Sequence, residues 1–168
     1  MSLKNFYGEN SSNRAYLIAV ALPGEEDTVE RSLDELEDLA ETCGFEVVGR
    51  ATQRLKKIDG STHIGSGKLA EISEMAANAD VEHLIFNAEL SSAQFRNIAQ
   101  QTEAAVHDRT GVILAIFSEH ARTDEGKIQV ELARLRYSLT RLVGKGVELS
   151  RLGGGIGTRG PGETKLEQ

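Results

Sequence analysis

Apolar residues follow two rhythms along this chain, and the rhythm changes near residue 110. Before that point, short unbroken apolar runs alternate with stretches of helical spacing. Ala15–Leu22 (AYLIAVAL) ends at Pro23-Gly24, a turn dipeptide. Such a run suits a strand covered on both faces, as in a parallel sheet. Val29, Leu33, Leu36 and Leu39-Ala40 then recur at helical spacing, with Asp27 or Thr28 as expected cap and Gly44 as stop. Phe45–Gln53 predicts a second strand and Leu55–Ser66 a glycine-containing loop. Lys68–Ala79 predicts a helix through Leu69, Ile72, Met75 and Ala76. His83–Asn87 reads as a third strand. A helix capped by Ser91 or Ser92 carries Phe95, Ile98 and Ala99, and Ala104–Asp108 is a fourth strand. Strands alternating with helices over short connections imply parallel pairing through right-handed crossovers. The expected fold is α/β, a small four-stranded parallel sheet flanked by helices over residues 1–110.

Beyond it, Thr110–Arg122 reads as a helix that Thr123–Gly126 either breaks or bends. Ile128, Leu132, Leu135, Leu139 and Leu142 follow at steps of 4, 3, 4 and 3. That is a narrow a/d seam, which wants one partner helix rather than a sheet. A partner has to come from beyond a segment that reads GGGIGTRGPGETK (Gly153–Lys165), in which six of thirteen residues are glycine. Residues 111–168 are therefore expected to be a long-helix, helical-hairpin subdomain with a Gly-rich loop, cut within its second arm. One large apolar side chain and a high ordering entropy keep the glycine segment out of any core. Its bare amides and Arg159 and Lys165 suit phosphate, so its order is expected from a partner.

Charge sharpens this picture. The net charge of −7 argues against diffuse nucleic-acid binding. It is unevenly spread: residues 1–120 carry 10 basic and 20 acidic side chains, and residues 121–168 carry 9 and 6. Arg134, Arg136, Arg141, Lys145, Arg151 and Arg159 form a series along the second part with Glu148 as the acidic member among them. A second basic group (Arg50, Arg54, Lys56, Lys57 and Lys68) is expected to face only Asp59. An acidic body with a basic tip orients against a polyanion. Aromatic residues are only 5% of the chain, which disfavours base stacking as the main contact. A single cysteine, Cys43, excludes an internal disulfide and fits a reducing, cytoplasmic location. No run approaches the roughly 20 apolar residues of a membrane span.

Catalytic chemistry is hard to find. Gly157–Gly162 has the first spacing of a P-loop, but its lysine is displaced to position 165; Gly65-Ser66-Gly67-Lys68 is followed by Leu69. The chain itself is not expected to be an enzyme. Gly65, Ser66, Gly67 and Lys68 do stand at a predicted helix start and are candidates for holding a phosphate. His63, His83, His107 and His120 lack the close spacing of a metal site. His107-Asp108 ends a strand on the side where open α/β sheets take ligands, and His107 is expected to be a solvated edge residue.

DRTGVILAIFSEHARTDEGKIQVELARLRYSLTRL (Asp108–Leu142) and LSRLGGGIGTRGPGETKLE (Leu149–Glu167) resemble the HflX family of translation-associated GTPases. IGSGKLAEI (Ile64–Ile72) and ELSSAQFRNI (Glu89–Ile98) are similar to it as well. The resemblance implies an N-terminal α/β subdomain, a helical hairpin and a downstream GTPase domain that takes GTP and Mg²⁺; this chain needs no cofactor of its own. It also implies binding to the large ribosomal subunit and its rRNA, and splitting or rescue of ribosomes under stress. DNA is not an expected partner. Carried over, Arg151, Gly153, Gly154, Gly155, Arg159, Gly160 and Gly162 would form a loop reaching RNA, supported by Arg134, Arg136, Arg141 and Lys145. Three positions depart from the family: Ala115 replaces an aspartate, and Thr140 and Ser92 each replace a proline. Thr140 should let the helix run on. Two other readings stand beside this one. In one, a phosphate- or nucleotide-binding module at Gly65–Lys68 regulates the downstream domain. In the other, the glycine loop is a lid on that domain.

Overall fold

A computed structural model describes residues 12–153, with side chains placed through Arg141. Nine elements follow in order: β1 (Arg14–Ala21), α1 (Glu26–Thr42), β2 (Glu46–Arg54), α2 (Ser66–Asn78), β3 (His83–Phe86), α3 (Ser92–Gln101), β4 (Ala105–Asp108), α4 (Arg109–His120) and α5 (Asp124–Gly153). The strands form one parallel sheet in the order β2-β1-β3-β4. The chain moves outward from β1 to β2 and then back across β1 to β3 and β4, so the first crossover covers one face and the next two the other. On one face Leu17, Ala19 and Ile85 pack with Leu33, Leu36 and Ala40 of α1 and Val112 of α4. On the other, Ile18, Leu84, Phe86 and Val106 pack with Leu69 and Ile72 of α2 and Ile98 of α3. All four residues of β3 are buried, as a strand covered on both faces requires.

Local signals set most of the boundaries. α1 begins at Glu26, ahead of Asp27 and Thr28, because the Pro23-Gly24 turn closes first: the Glu25 amide donates to the Leu22 carbonyl at 3.0 Å, and Glu25 takes the cap position. Gly44 ends the helix as expected. It has φ +95°, donates to Glu41 O at 2.9 Å, and is followed by Phe45 donating to Ala40 O at 3.1 Å. Those two bonds are the paired ending that only a left-handed residue permits cheaply. Ser91, rather than Ser92, caps α3: its Oγ accepts from Gln94 N at 3.1 Å while Gln94 Oε1 accepts from Ser91 N at 3.0 Å.

Thr123–Gly126 breaks the helix. α4 stops at His120 with Ala121 extended, and Thr123 Oγ1 accepts from Gly126 N at 3.0 Å to open α5. α5 runs through Thr140 without interruption and reaches Gly153, a residue expected in the loop. Residues 154–168, with the remainder of the glycine segment and any second arm, lie outside the described residues.

α5 lies against α3 and α4. Val130, Ala133, Arg134, Tyr137 and Arg141 are partly buried on that side. Ile128, Leu132, Leu135 and Leu139 are between 48% and 69% exposed. At about 100° per residue, these four fall on the side of the helix opposite Tyr137. The seam read from the sequence is thus real, and it faces away from the sheet.

Candidate functional site

Ligands of doubly wound sheets sit at the carboxyl edge, where neighbouring crossovers diverge. Here that place lies between β1 and β3, and the protein's own side chains fill it. Asn87, just past β3, donates through Nδ2 to Ser32 Oγ at 2.9 Å and accepts from Arg109 Nη1 at 2.8 Å. Arg109 Nη2 pairs with Glu35 Oε2 at 2.9 Å.

The Gly65–Lys68 candidate is engaged internally at its two ends, while Ser66 and Gly67 are exposed in the first turn of α2. Gly65 caps α2, and its amide donates to Gln53 Oε1 at 2.8 Å. Lys68 Nζ lies 3.3 Å from Glu71 Oε1. The preceding loop is built on Asp59, whose Oδ1 accepts from the amides of Ser61 (2.7 Å) and Thr62 (2.9 Å). Those amides, Thr62 first, hold the Asp59 carboxyl below the usual range. Arg54, Lys56 and Lys57 are exposed around it.

Arg50 does not belong with them. It pairs with Asp34 at 2.8 Å and with Glu37, and Glu30 is 3.8 Å away. Its guanidinium is raised further above its ordinary value, chiefly by the hydrogen bond to Asp34. The basic group expected around Asp59 is therefore smaller than the sequence suggests, because α1 crosses over β2 and brings its carboxylates to Arg50.

The expected basic helix face divides in the same way. Arg136 is exposed, while Arg134 pairs with Glu131 at 3.0 Å. Arg141 points into the protein and does not extend that face. Its Nη2 meets Asp108 Oδ2, its Nη1 donates to Leu90 O at 2.9 Å, and its guanidinium lies over the rings of Phe95 (4.7 Å) and Tyr137 (4.6 Å). Arg134 and Arg141 are seven residues apart and share the side of α5 that lies on α3 and α4, whereas Arg136 is exposed. Lys145 and Arg151 lie on α5 beyond the placed side chains, and Gly153 ends the helix. Gly154, Gly155, Arg159, Gly160 and Gly162 lie outside the described residues.

Asp108 is the hub that the sequence reading missed. It is fully buried and closes β4. Oδ1 accepts from Gly111 N (2.9 Å) and the Tyr137 hydroxyl (2.5 Å), and Oδ2 accepts from Leu90 N (2.9 Å) and Arg141. The available signal was its place three residues before a glycine amide at the start of α4, an N-cap position. Burial, and then the hydrogen bond to Asp108, raise the Tyr137 hydroxyl well above its ordinary value, so it donates at any physiological pH.

His107 lies on the edge strand β4, half-buried and held by its neighbours rather than solvated. Its Nε2 is 3.0 Å from Nδ1 of His83, whose Nε2 is 3.1 Å from the Ser12 carbonyl. Both rings meet Phe45 edge-on, with centroids 5.0 and 5.3 Å away. Burial, and then His83, push His107 down to about 3; burial also lowers His83 and His63. β4 carries His107 beside His83 because the strands are adjacent and parallel. Burial raises the Cys43 thiol to about 11, so it is an inert core group. No cluster of three or more His, Cys, Asp or Glu residues suited to a metal occurs among the described residues, and no helix among them is long and apolar enough to cross a membrane.

The class defined by these observations is a doubly wound α/β body carrying a long helical arm. Residues 30–118 match the family described as GTP-binding GTPase N-terminal, and residues 120–168 match the GTP-binding GTPase middle region. The chain is 48% identical over 151 residues to GTPase HflX of Alkalihalophilus pseudofirmus, covering 90% of this chain and 36% of that protein. It is 49% identical to GTPase HflX of Caldanaerobacter subterraneus (92% and 35% covered) and 41% identical to that of Escherichia coli K12 (94% and 37% covered). Among solved structures, a variant of SsGBP superposes with TM-score 0.62 at 26% identity, covering 79% of this chain and 42% of that one. The complex of SsGBP with GDP superposes with TM-score 0.57 at 26% identity, covering 76% and 36%. The chain belongs to the HflX GTPase family, and it spans about a third of the length of these relatives.

Proposed function

We propose that this chain is the ribosome-engaging N-terminal part of an HflX-type GTPase. The sheet body positions α5, and the cationic glycine segment that follows α5 takes its order from rRNA of the large subunit. The whole protein hydrolyses GTP with Mg²⁺ in a domain downstream of these residues and uses that cycle to split or rescue ribosomes in the cytoplasm. The observation that carries this reading is the unbroken course of α5 from the body to Gly153, over which Arg136, Lys145 and Arg151 are strung. Beyond Arg141, which still touches the body, 12 residues of α5 remain, about 18 Å of helix, enough to carry a loop clear of an acidic body. Separating the two charges in this way lets a protein of net charge −7 approach a polyanion tip first. In this division, residues 1–110 are the α/β subdomain and residues 111–168 the helical one, of which α4 packs back on the sheet through Val112 and α5 is the arm. Neither Gly157–Gly162 nor Gly65–Lys68 completes a P-loop, so no step of GTP hydrolysis is assigned to these residues.

The test is co-sedimentation of the chain with purified large subunits over a salt series. Binding is expected to fall steeply with salt and to be lost when Arg151 and Arg159 are both changed to alanine. Binding that ignores both salt and the double substitution would refute the reading.

A further inference from the structure

An amphipathic helix on a globular body normally turns its apolar stripe inward. α5 does the reverse. Its leucine seam is exposed, and the side laid on α3 and α4 carries Arg134, Tyr137 and Arg141 beside the smaller apolar Val130 and Ala133. Among the described residues, none of α5 belongs to either hydrophobic cluster of the sheet. The arm is therefore attached to the body chiefly through hydrogen bonds and an ion pair, and Asp108 is their centre. That one carboxylate takes donors from the β3–α3 loop (Leu90), α4 (Gly111) and α5 (Tyr137 and Arg141). Arg141 also holds the Leu90 carbonyl, and Ser92 Oγ donates to the Thr140 carbonyl. Apolar packing tolerates sliding, but charge-assisted hydrogen bonds fail once their angles slip. Such a junction holds one orientation firmly and offers few intermediate ones.

We infer that Asp108, Tyr137 and Arg141 form a latch that fixes α5 on the sheet body and opens as a unit. When it opens, the arm pivots about Ala121–Thr123, the break between α4 and α5, while the sheet stays folded. Tyr137 and Arg141 are positioning residues, since they set the direction of the arm. The latch is a property of this chain alone, so it stands or falls separately from the ribosomal reading.

The experiment uses the whole chain in a Cys43→Ala background, spin-labelled through Glu74→Cys on α2 and Ser138→Cys on α5. Pulsed electron resonance is expected to give one distance for the parent latch. Tyr137→Phe, Arg141→Gln and Gly111→Ala should each add a second, longer population. The Gly111 variant attacks the latch from the other side, since its Cβ would stand 2.8 Å from the Tyr137 oxygen. Arg141→Lys, which keeps the charge but not the fork, should fall between parent and Arg141→Gln. Amide exchange supplies the control: α5 should exchange at least roughly tenfold faster in the variants, with β1 and β3 unchanged within about twofold. Unchanged distances in all three variants would overturn the proposal. So would protection lost equally from β1, β3 and α5, because the three residues would then hold the whole fold and not the arm.

Discussion

Acid should destabilise this protein well before its carboxylates titrate, and His107 should be the main reason. In the fold its ring is held neutral, with its pKa pushed down to about 3, whereas unfolded it titrates at 6.5. Between those values the unfolded chain binds the extra proton, so stability rises with pH. The contribution is complete above the unfolded value and is lost as pH falls below it. From pH 7.5 to pH 5, a single group with these two values costs about 2 kcal/mol of folding free energy. His83 and His63 are lowered by burial as well and act in the same sense. The perturbation is His107→Phe, which keeps a ring beside Phe45 and removes the titration. Leaving His83 Nδ1 without His107 lowers absolute stability by about 1–2 kcal/mol at every pH. The informative quantity is therefore the slope. Urea unfolding at a series of pH values should show the parent losing about 2 kcal/mol more than the variant over that interval. Parallel curves would refute the argument, since they would mean that His107 does not carry its neutral form into the fold.

Arg141→Ala removes the counter-charge of a fully buried carboxylate and should cost about 3–5 kcal/mol of the free energy that holds α5 on the body, against about 1–2 kcal/mol for Tyr137→Phe, both read from the amide protection of α5. Asp108→Asn combined with Arg141→Ala should cost less than the sum of the two single changes, because the stranded carboxylate is gone. Leu132→Gln with Leu135→Gln should shift the stability of this chain by no more than about 0.5 kcal/mol each, since both side chains are exposed; a large fall in Tm would mean that the seam is covered. Gly49→Ala should cost about 1–3 kcal/mol, because its Cβ would lie 2.7 Å from the Tyr16 ring, and Tyr16→Leu should relieve most of that loss.

Sequence pattern determined the sheet. The apolar runs at Ala15–Leu22 and His83–Asn87, the helical spacing between them and the Gly44 stop are local signals, and each lies within a residue or two of the observed element. The seam at Ile128–Leu139 was legible for the same reason, since periodicity is a property of consecutive residues. What the sequence left open was which charges meet. Arg50 and Arg141 look like members of basic groups when read in order, but they lie against Asp34, Glu37 and Asp108, which are 13 to 33 positions away. The His83–His107 contact likewise depends on β3 and β4 becoming neighbours. Pairing of that kind follows from strand order and from the direction in which a helix crosses the sheet. Only closure of the whole fold sets those two things, so the arm could be read from the chain while its attachment could not.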